Sequence, residues 1–252
     1  MYKTLRGLVL REVKYKESSK ILTLLSAEEG KLTVEARGAL RKGCKFGASA
    51  QQLVFSELTL FENRGRCTLT EGAVLEDFSA LRERFDDFAL GVYFAELLES
   101  VSVEGSADEA LLSLGLNSLF ALSRELYPAE HIKAVFELRL LSLAGFEPAL
   151  SGCAVCGRRD PAEPRLSLGG GCVVCGDCPA PEGRCVRLCS ASLAAMRHAA
   201  GAGSKKIFSF TLDEPSEKRF HTACEEYALY QLDRHFPTLD YWKSLKRLEQ
   251  RG

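Results

Sequence analysis

The first 75 residues carry short apolar runs with strand-like alternation, broken by compact polar turns. Five such runs stand out: Leu5–Val13, Ile21–Ser26, Leu32–Ala36, Leu53–Glu62 and Cys67–Leu75. Lys14–Lys20 and Glu28–Lys31 separate the first three, and Gly30 is suited to positive φ. Asn63-Arg64-Gly65-Arg66 reads as a hairpin turn, with the Asn and the Gly as its positive-φ residues. Five strands with hairpin turns predict a small closed or sandwiched β-domain. The strand count fits an oligonucleotide-binding (OB) barrel and equally an SH3-like barrel.

At Glu76 the period changes to that of a helix. Leu81–Ser102 places Phe85, Phe88, Ala89, Val92, Ala95 and Leu98 on one stripe, which predicts a packed helix. Ser106-Ala107-Asp108 caps a second helix through Ala121. Pro128-Ala129-Glu130 opens a third, with Ile132, Val135, Phe136, Leu140 and Leu143 on one side, ending at Gly145. Ser190–Ala200 predicts a short helix, and 201–204 a loop. Ile207–Leu212 fits either element. Ser216–His235 predicts a long helix ended by Pro237, with Phe220, Ala223, Cys224, Tyr227 and Tyr230 on its stripe. Tyr241–Leu245 and the basic residues Lys246, Arg247 and Arg251 close the chain.

Composition makes this an ordinary globular chain: 252 residues, 46% hydrophobic and 27% charged. No apolar run reaches the length of a membrane span, and the N-terminus lacks a signal-peptide core. The expectation is a cytoplasmic protein whose ten cysteines stay reduced. The net charge of −1 is unevenly spread. Residues 1–75 carry 13 Lys/Arg against 8 Asp/Glu, residues 76–150 carry 5 against 14, and residues 151–252 carry 15 against 12. A basic first third suggests a local anionic partner. Its densest part is Arg37–Gly47, where Arg37, Arg41, Lys42 and Lys45 stand among glycines with no acid between them, and Lys31 lies just upstream. This reads as a flexible cationic loop. Lys14, Lys16, Arg64 and Arg66 are expected at its rim, with Phe46 or Tyr15 as aromatic platforms for bases.

Candidate chemistry concentrates at Cys153–Cys178, CAVCGRRDPAEPRLSLGGGCVVCGDC. Two C-x-x-C knuckles at this separation point to a tetrahedral zinc site. The second knuckle has two registers. Cys172/Cys175 leaves 15 residues after Cys156, and Cys175/Cys178 leaves 18. Four thiolates close the shell, so the ion reads as structural. Cys185 and Cys189 are minor ligand candidates, Cys224 a packed thiol, and Cys44 and Cys67 ordinary thiols. The four histidines, His131, His198, His221 and His235, lie in no H-x-E or H-E-x-x-H context. There is no P-loop and no G-x-S-x-G elbow. Asp86 and Asp87 are adjacent on a helix and do not face one another. No motif points to an enzyme.

The chain resembles the RecO family of bacterial recombination and repair proteins over nearly its whole length. The resemblance rests on Gly7-Leu8-Val9-Leu10-Arg11, Ile21–Ser26, Gly30-Lys31, Ala36-Arg37-Gly38-Ala39, Leu53, Arg64-Gly65-Arg66 and Lys243-Ser244. Its most specific part is Leu140-Leu141 and Ala144–Pro148 ahead of Cys153–Gly157, Gly170-Gly171 and Cys175–Cys178. It implies an α+β protein: an OB-fold DNA-binding domain over 1–78, then a helical domain over 79–252 with a zinc-binding segment at 150–182. It also implies Cys153, Cys156, Cys175 and Cys178 as ligands of a structural Zn2+, with Cys172 spare. The implied function is that of a non-enzymatic recombination mediator of the RecF pathway. Such a protein binds single- and double-stranded DNA, anneals strands, and with RecR promotes RecA loading on DNA coated by single-stranded DNA-binding protein, whose C-terminal tail it contacts. RecA is reached only indirectly, no membrane is involved, and the expected location is the cytoplasm, associated with the nucleoid. The other reading left by the residues is a zinc-containing interaction adaptor with incidental nucleic-acid contact.

Overall fold

The computed structural model describes residues 1–179, 182–203 and 206–249. Ser204 of the expected loop and Arg251 of the expected basic tail lie outside them. Two compact units emerge, one of Met1–Arg124 with the segment from Phe236, the other of Glu125–His235.

The first unit begins with a closed five-stranded barrel: β1 (Tyr2–Tyr15), β2 (Ser19–Ser26), β3 (Gly30–Ala36), β4 (Phe55–Asn63) and β5 (Arg66–Glu76). The strand order is β1-β2-β3-β5-β4, with β3 and β5 parallel and the other pairs antiparallel. This is an OB-fold barrel. Its interior holds Leu5, Val9, Leu22, Leu24, Val34, Leu58, Leu60 and Leu69. Leu8, Leu10 and Leu25 are equally buried, and β1 and β2 are packed against helices of the same unit. That double burial explains why mid-β1 reads as a continuous apolar run. Gly30 opens β3 at φ 62°, and a Cβ there would sit 2.0 Å from the Ser106 carbonyl oxygen. Only glycine meets both demands.

Several local expectations shift. In the β4–β5 turn the positive-φ residues are Arg64 (49°) and Gly65 (73°), not Asn63. Two consecutive positive-φ residues give the primed turn that matches strand twist. β4 starts at Phe55 because Leu53 takes φ 63° while pairing its N–H with the Val9 carbonyl. The helix expected over Leu81–Ser102 is two, α1 (Ser79–Glu83) and α2 (Phe85–Val101). Arg84 between them is extended, and its guanidinium binds Asp87 and the carbonyls of Leu122 and Ser123. Those carbonyls end α3 (Glu109–Ser123), whose N-terminus Asp108 caps by accepting from Leu111 N–H at 2.9 Å. The buried stripe of α2 runs through Leu90, Tyr93, Phe94, Leu97 and Leu98, leaving Phe85 exposed. Pro237 does not end the preceding helix, which stops at Leu232 where Asp233 takes φ 42°; it opens α7 (Pro237–Glu249) instead. Proline suits a first helical turn because it lacks only an N–H that has no partner there. α7 packs on α2, burying Leu239 and Trp242 and pairing Lys246 with Asp86 at 3.0 Å.

The second unit holds α4 (Ala129–Leu143), β6 (Ala149–Cys153), β7 (Arg165–Ser167), β8 (Cys172–Val174), β9 (Cys185–Arg187), α5 (Ser190–Gly201) and α6 (Glu214–Leu232). The cysteine segment is thus a four-stranded sheet of order β6-β8-β7-β9. The reading by periodicity assigned it no strands. Residues 207–212 form neither helix nor strand. α4 packs against α5 and α6 and is buried nearly all round. That burial includes Lys133 and Glu137, whose Nζ and Oε1 lie 2.8 Å apart; Glu225 Oε2 lies 2.8 Å from the same Nζ. Cys224 is fully buried, as its apolar stripe implied. Burial pushes the imidazoles of His131 and His221 down, His221 to about 4, so both are neutral at pH 7. Among the described residues no helix is long and apolar enough to cross a membrane.

Candidate functional site

The turn after β1, the end of β3 and the start of β5 meet around a cleft of about 530 Å3. Lys16, Arg37, Arg41 and Arg66 line it with Tyr15, Ser18, Ser19, Gly38 and Glu35. Four cations against one carboxylate leave a net +3. All eight basic residues expected at an anionic partner are exposed: Lys14, Lys16, Arg37, Arg41, Lys42, Lys45, Arg64 and Arg66. Lys14, Lys42, Lys45 and Arg64 do not line the cleft; each lies within four positions in the chain of a residue that does.

The loop expected to be flexible is a run of consecutive turns. Leu40 N–H donates to the Ser18 carbonyl at 2.9 Å, and Arg41, Cys44 and Gly47 N–H close successive turns. Gly38, at φ 71°, donates to Ser19 Oγ, and Arg41 Nε donates to Ser18 Oγ at 3.3 Å. These bonds hold Arg41 over the β1–β2 turn. Lys16 Nζ sits 4.8 Å from the Tyr15 ring centroid. Phe46 is not a free platform, because it packs half-buried against the barrel core.

Pairing separates these cations from the rest of the barrel. Lys3, Arg6, Arg11, Lys20 and Arg37 each have a carboxylate partner. Lys31 donates to the Glu99 carbonyl at 3.0 Å. Among the described residues, Lys14, Lys16, Arg41, Lys42, Lys45, Arg64 and Arg66 have no ion-pair partner. The exception within the expected set is Arg37, 3.0 Å from Glu35. That bond, with the fields of Arg37, Lys16 and Arg66, holds the Glu35 carboxyl below its usual range. Glu35 escaped the sequence reading. Its signal was spacing: residues i and i+2 of a strand share a face, which places Glu35 beside Arg37.

In the second unit the Sγ atoms of Cys153, Cys156, Cys175 and Cys178 lie within 4.8 Å of one another. Cys153–Cys178 and Cys156–Cys175 are each 3.8 Å apart, and Cys175–Cys178 is 3.3 Å. A tetrahedron with Zn–S bonds of about 2.3 Å has edges of about 3.8 Å, so the four sulfurs fit a metal shell. Cys172, Cys185 and Cys189 fall outside the group. Cys189 instead caps α5. Gly157, at φ 73°, closes the first knuckle by donating to the Cys153 carbonyl at 2.9 Å. Cys178 N–H closes the second on the Cys175 carbonyl at 3.3 Å. Arg165 Nη2 clamps the second knuckle through the carbonyls of Cys175 and Cys178, both at 3.0 Å. The N–H groups of Cys156 and Cys175 pull the Cys153 thiol down to about 6. Its neighbour Cys178, hydrogen-bonded to Cys175, is pushed the other way, up to about 12, so the sulfurs share protons that a metal would have to displace. Four sulfurs leave no open coordination position, so such a metal holds the segment together and activates no water.

Residues 1–78 match the family profile "Recombination protein O N terminal", and residues 82–240 match "Recombination protein O C terminal". The chain belongs to the RecO family. Similar RecO proteins include the DNA repair protein RecO of Acetivibrio thermocellus, 27% identical over 96% of this chain and 97% of that one. The DNA repair protein RecO of Symbiobacterium thermophilum is 29% identical over 95% and 96%. That of Exiguobacterium sibiricum is 39% identical over 60% of each chain. The gap between the two RecO matches, 79–81, falls in α1, directly after the barrel.

Proposed function

We propose that the chain is a non-enzymatic DNA-binding recombination mediator in DNA repair. It binds single- and double-stranded DNA along the cleft at the barrel mouth and anneals complementary strands. With RecR it promotes RecA loading on DNA coated by single-stranded DNA-binding protein, whose C-terminal tail it contacts. It works in the cytoplasm, at the nucleoid. The observation that carries this reading is three cations without an ion-pair partner among the described residues, Lys16, Arg41 and Arg66, lining one cleft of an OB barrel, a fold whose loops at that position serve oligonucleotides. Nonspecific affinity needs phosphate neutralisation and counterion release, which exposed Lys and Arg supply. Annealing needs two strands held at reduced repulsion with their bases accessible. Tyr15, beside Lys16, offers a stacking face. In this reading the four cysteines hold a structural Zn2+ that takes no part in DNA contact.

The test is a salt titration of single-stranded DNA binding and annealing by the full chain. The triple variant Lys16→Ala/Arg41→Ala/Arg66→Ala is expected to flatten the slope of log affinity against log salt by about 2. Arg6→Ala, paired with Glu57 on the same barrel, serves as the control. Unchanged affinity and slope in the folded triple variant would remove the cleft as the DNA site.

A further inference from the structure

A second group of ligating side chains lies in the unit of α4 and α6, and neither the cleft nor the cysteine cluster uses it. His131 comes from α4, and Glu217 and His221 come from α6. The spacing i, i+4 puts Glu217 and His221 on one face of their helix. Glu217 Oε1 is 3.9 Å from His131 Nδ1 and 3.7 Å from His221 Nε2. One ligand atom from each residue lies within 4.8 Å of the other two.

Two observations say more than proximity. His131 Nε2 is 3.1 Å from the Phe208 carbonyl oxygen. A carbonyl only accepts, so Nε2 carries the proton and Nδ1 turns its lone pair toward Glu217. A ligand histidine is ordinarily oriented in this way, with its far N–H on a carbonyl or carboxylate. The second observation is His221 Nε2, which is shielded from water and has no hydrogen-bond partner. A shielded ring nitrogen without a partner is costly unless something outside the protein satisfies it. The Phe210 ring, 4.6 Å from the His131 ring between centroids, and the Phe220 ring wall the group on its apolar side. Lys133, which acts on His221, is matched by Glu137 and Glu225.

We propose that His131 Nδ1, Glu217 and His221 Nε2 form a second metal site, for a divalent transition cation of the zinc class, with a position left for water. Imidazole and carboxylate are the donors such ions take, and bonds of about 2.1 Å set tetrahedral ligand separations near 3.4 Å. The observed separations close to that value by small side-chain rotations. The ion would pin α4 to α6. It differs from the cysteine site in its donors, which makes the two separable.

The experiment uses the full chain with its cysteine cluster saturated with zinc and titrates Co2+ by calorimetry and absorption. One additional equivalent is expected, without the thiolate charge-transfer band that a cysteine-bound cobalt shows. Glu217→Gln and His221→Gln, both at partly exposed positions, should keep the helical circular dichroism and the cysteine-bound zinc. Each should weaken the additional equivalent at least about 100-fold, since loss of even a supporting residue costs 10- to 100-fold. Absence of the additional equivalent in the unsubstituted chain overturns the site. Unaltered Co2+ binding in both folded variants overturns it too.

Discussion

At the barrel cleft Lys16, Arg41 and Arg66 stand exposed with no carboxylate partner among the described residues. In the other unit Lys133 is 4% exposed at its side chain and lies 2.8 Å from both Glu137 and Glu225. Burial alone would push the Lys133 ammonium down, but the two carboxylates outweigh it and hold the group up. The same side-chain chemistry serves two ends. A cation taken out of water must be matched at once, and its partners then fix how α4 and α6 pack. A cation left in water and unmatched adds nothing to the fold and stays available to a polyanion. On this comparison, changes in the second unit should read out as stability and changes at the cleft as DNA affinity.

The largest effect should come from the cysteine cluster. Structural zinc in such sites contributes on the order of 10 kcal/mol of binding free energy, which is folding free energy for the segment it closes. Cys175→Ser, or zinc removal by a chelator, should lower the thermal midpoint of the full chain. It should release one zinc per chain by elemental analysis and leave the salt slope of DNA binding unchanged. A shifted salt slope with an unshifted midpoint would reverse the roles given to the two regions. Next in size is Lys133→Met, which removes the ammonium 2.8 Å from the fully buried Glu137 carboxylate. Its expected cost is about 3–5 kcal/mol in denaturant unfolding. Adding Glu137→Leu should recover part of that loss, because the remaining partner, Glu225, is on the partly exposed side.

The barrel was legible in the sequence because each strand has a face toward one interior, and that face must be apolar wherever the barrel closes. The unpaired cations were legible for a related reason: no acid lies between Arg37 and Gly47. Features set by partners distant in the chain were not. Arg84 breaks the expected helix through Asp87 and two carbonyls from α3. Phe46 looks like an exposed aromatic in a cationic loop, yet the barrel core receives it. Strands β7, β8 and β9 have three residues each, too few for a period to show. Cysteine spacing left the second knuckle in two registers; sulfur positions group Cys175 with Cys178 and leave Cys172 outside. His131 and Glu217 are 86 positions apart, and only the packing of α4 on α6 brings them together.

The cleft can be made stronger as well as weaker. Glu35 is its one lining carboxylate and ties up Arg37. Glu35→Gln should release Arg37 to a phosphate and steepen the salt slope by about 0.7, a gain of about 5-fold in single-stranded DNA affinity at 0.1 M salt. A loss of affinity in the folded variant would mean that Glu35 positions Arg37 rather than competing for it.

The smallest effect is the one that isolates pairing from charge. Arg6 and Arg41 are both exposed arginines on the barrel unit, but Arg6 Nε lies 3.7 Å from Glu57 while Arg41 Nε donates to Ser18 Oγ and, among the described residues, has no carboxylate partner. If net positive charge alone recruited DNA, Arg6→Ala and Arg41→Ala would cost the same. If position at the cleft and freedom from a carboxylate decide, Arg41→Ala should cost about 5-fold and Arg6→Ala under about 2-fold at 0.1 M salt. The pair Arg6→Ala/Glu57→Ala, which leaves net charge as it was, should be closer still to the unsubstituted chain. Equal losses from the two single arginine variants would move DNA binding from the cleft to the barrel surface at large.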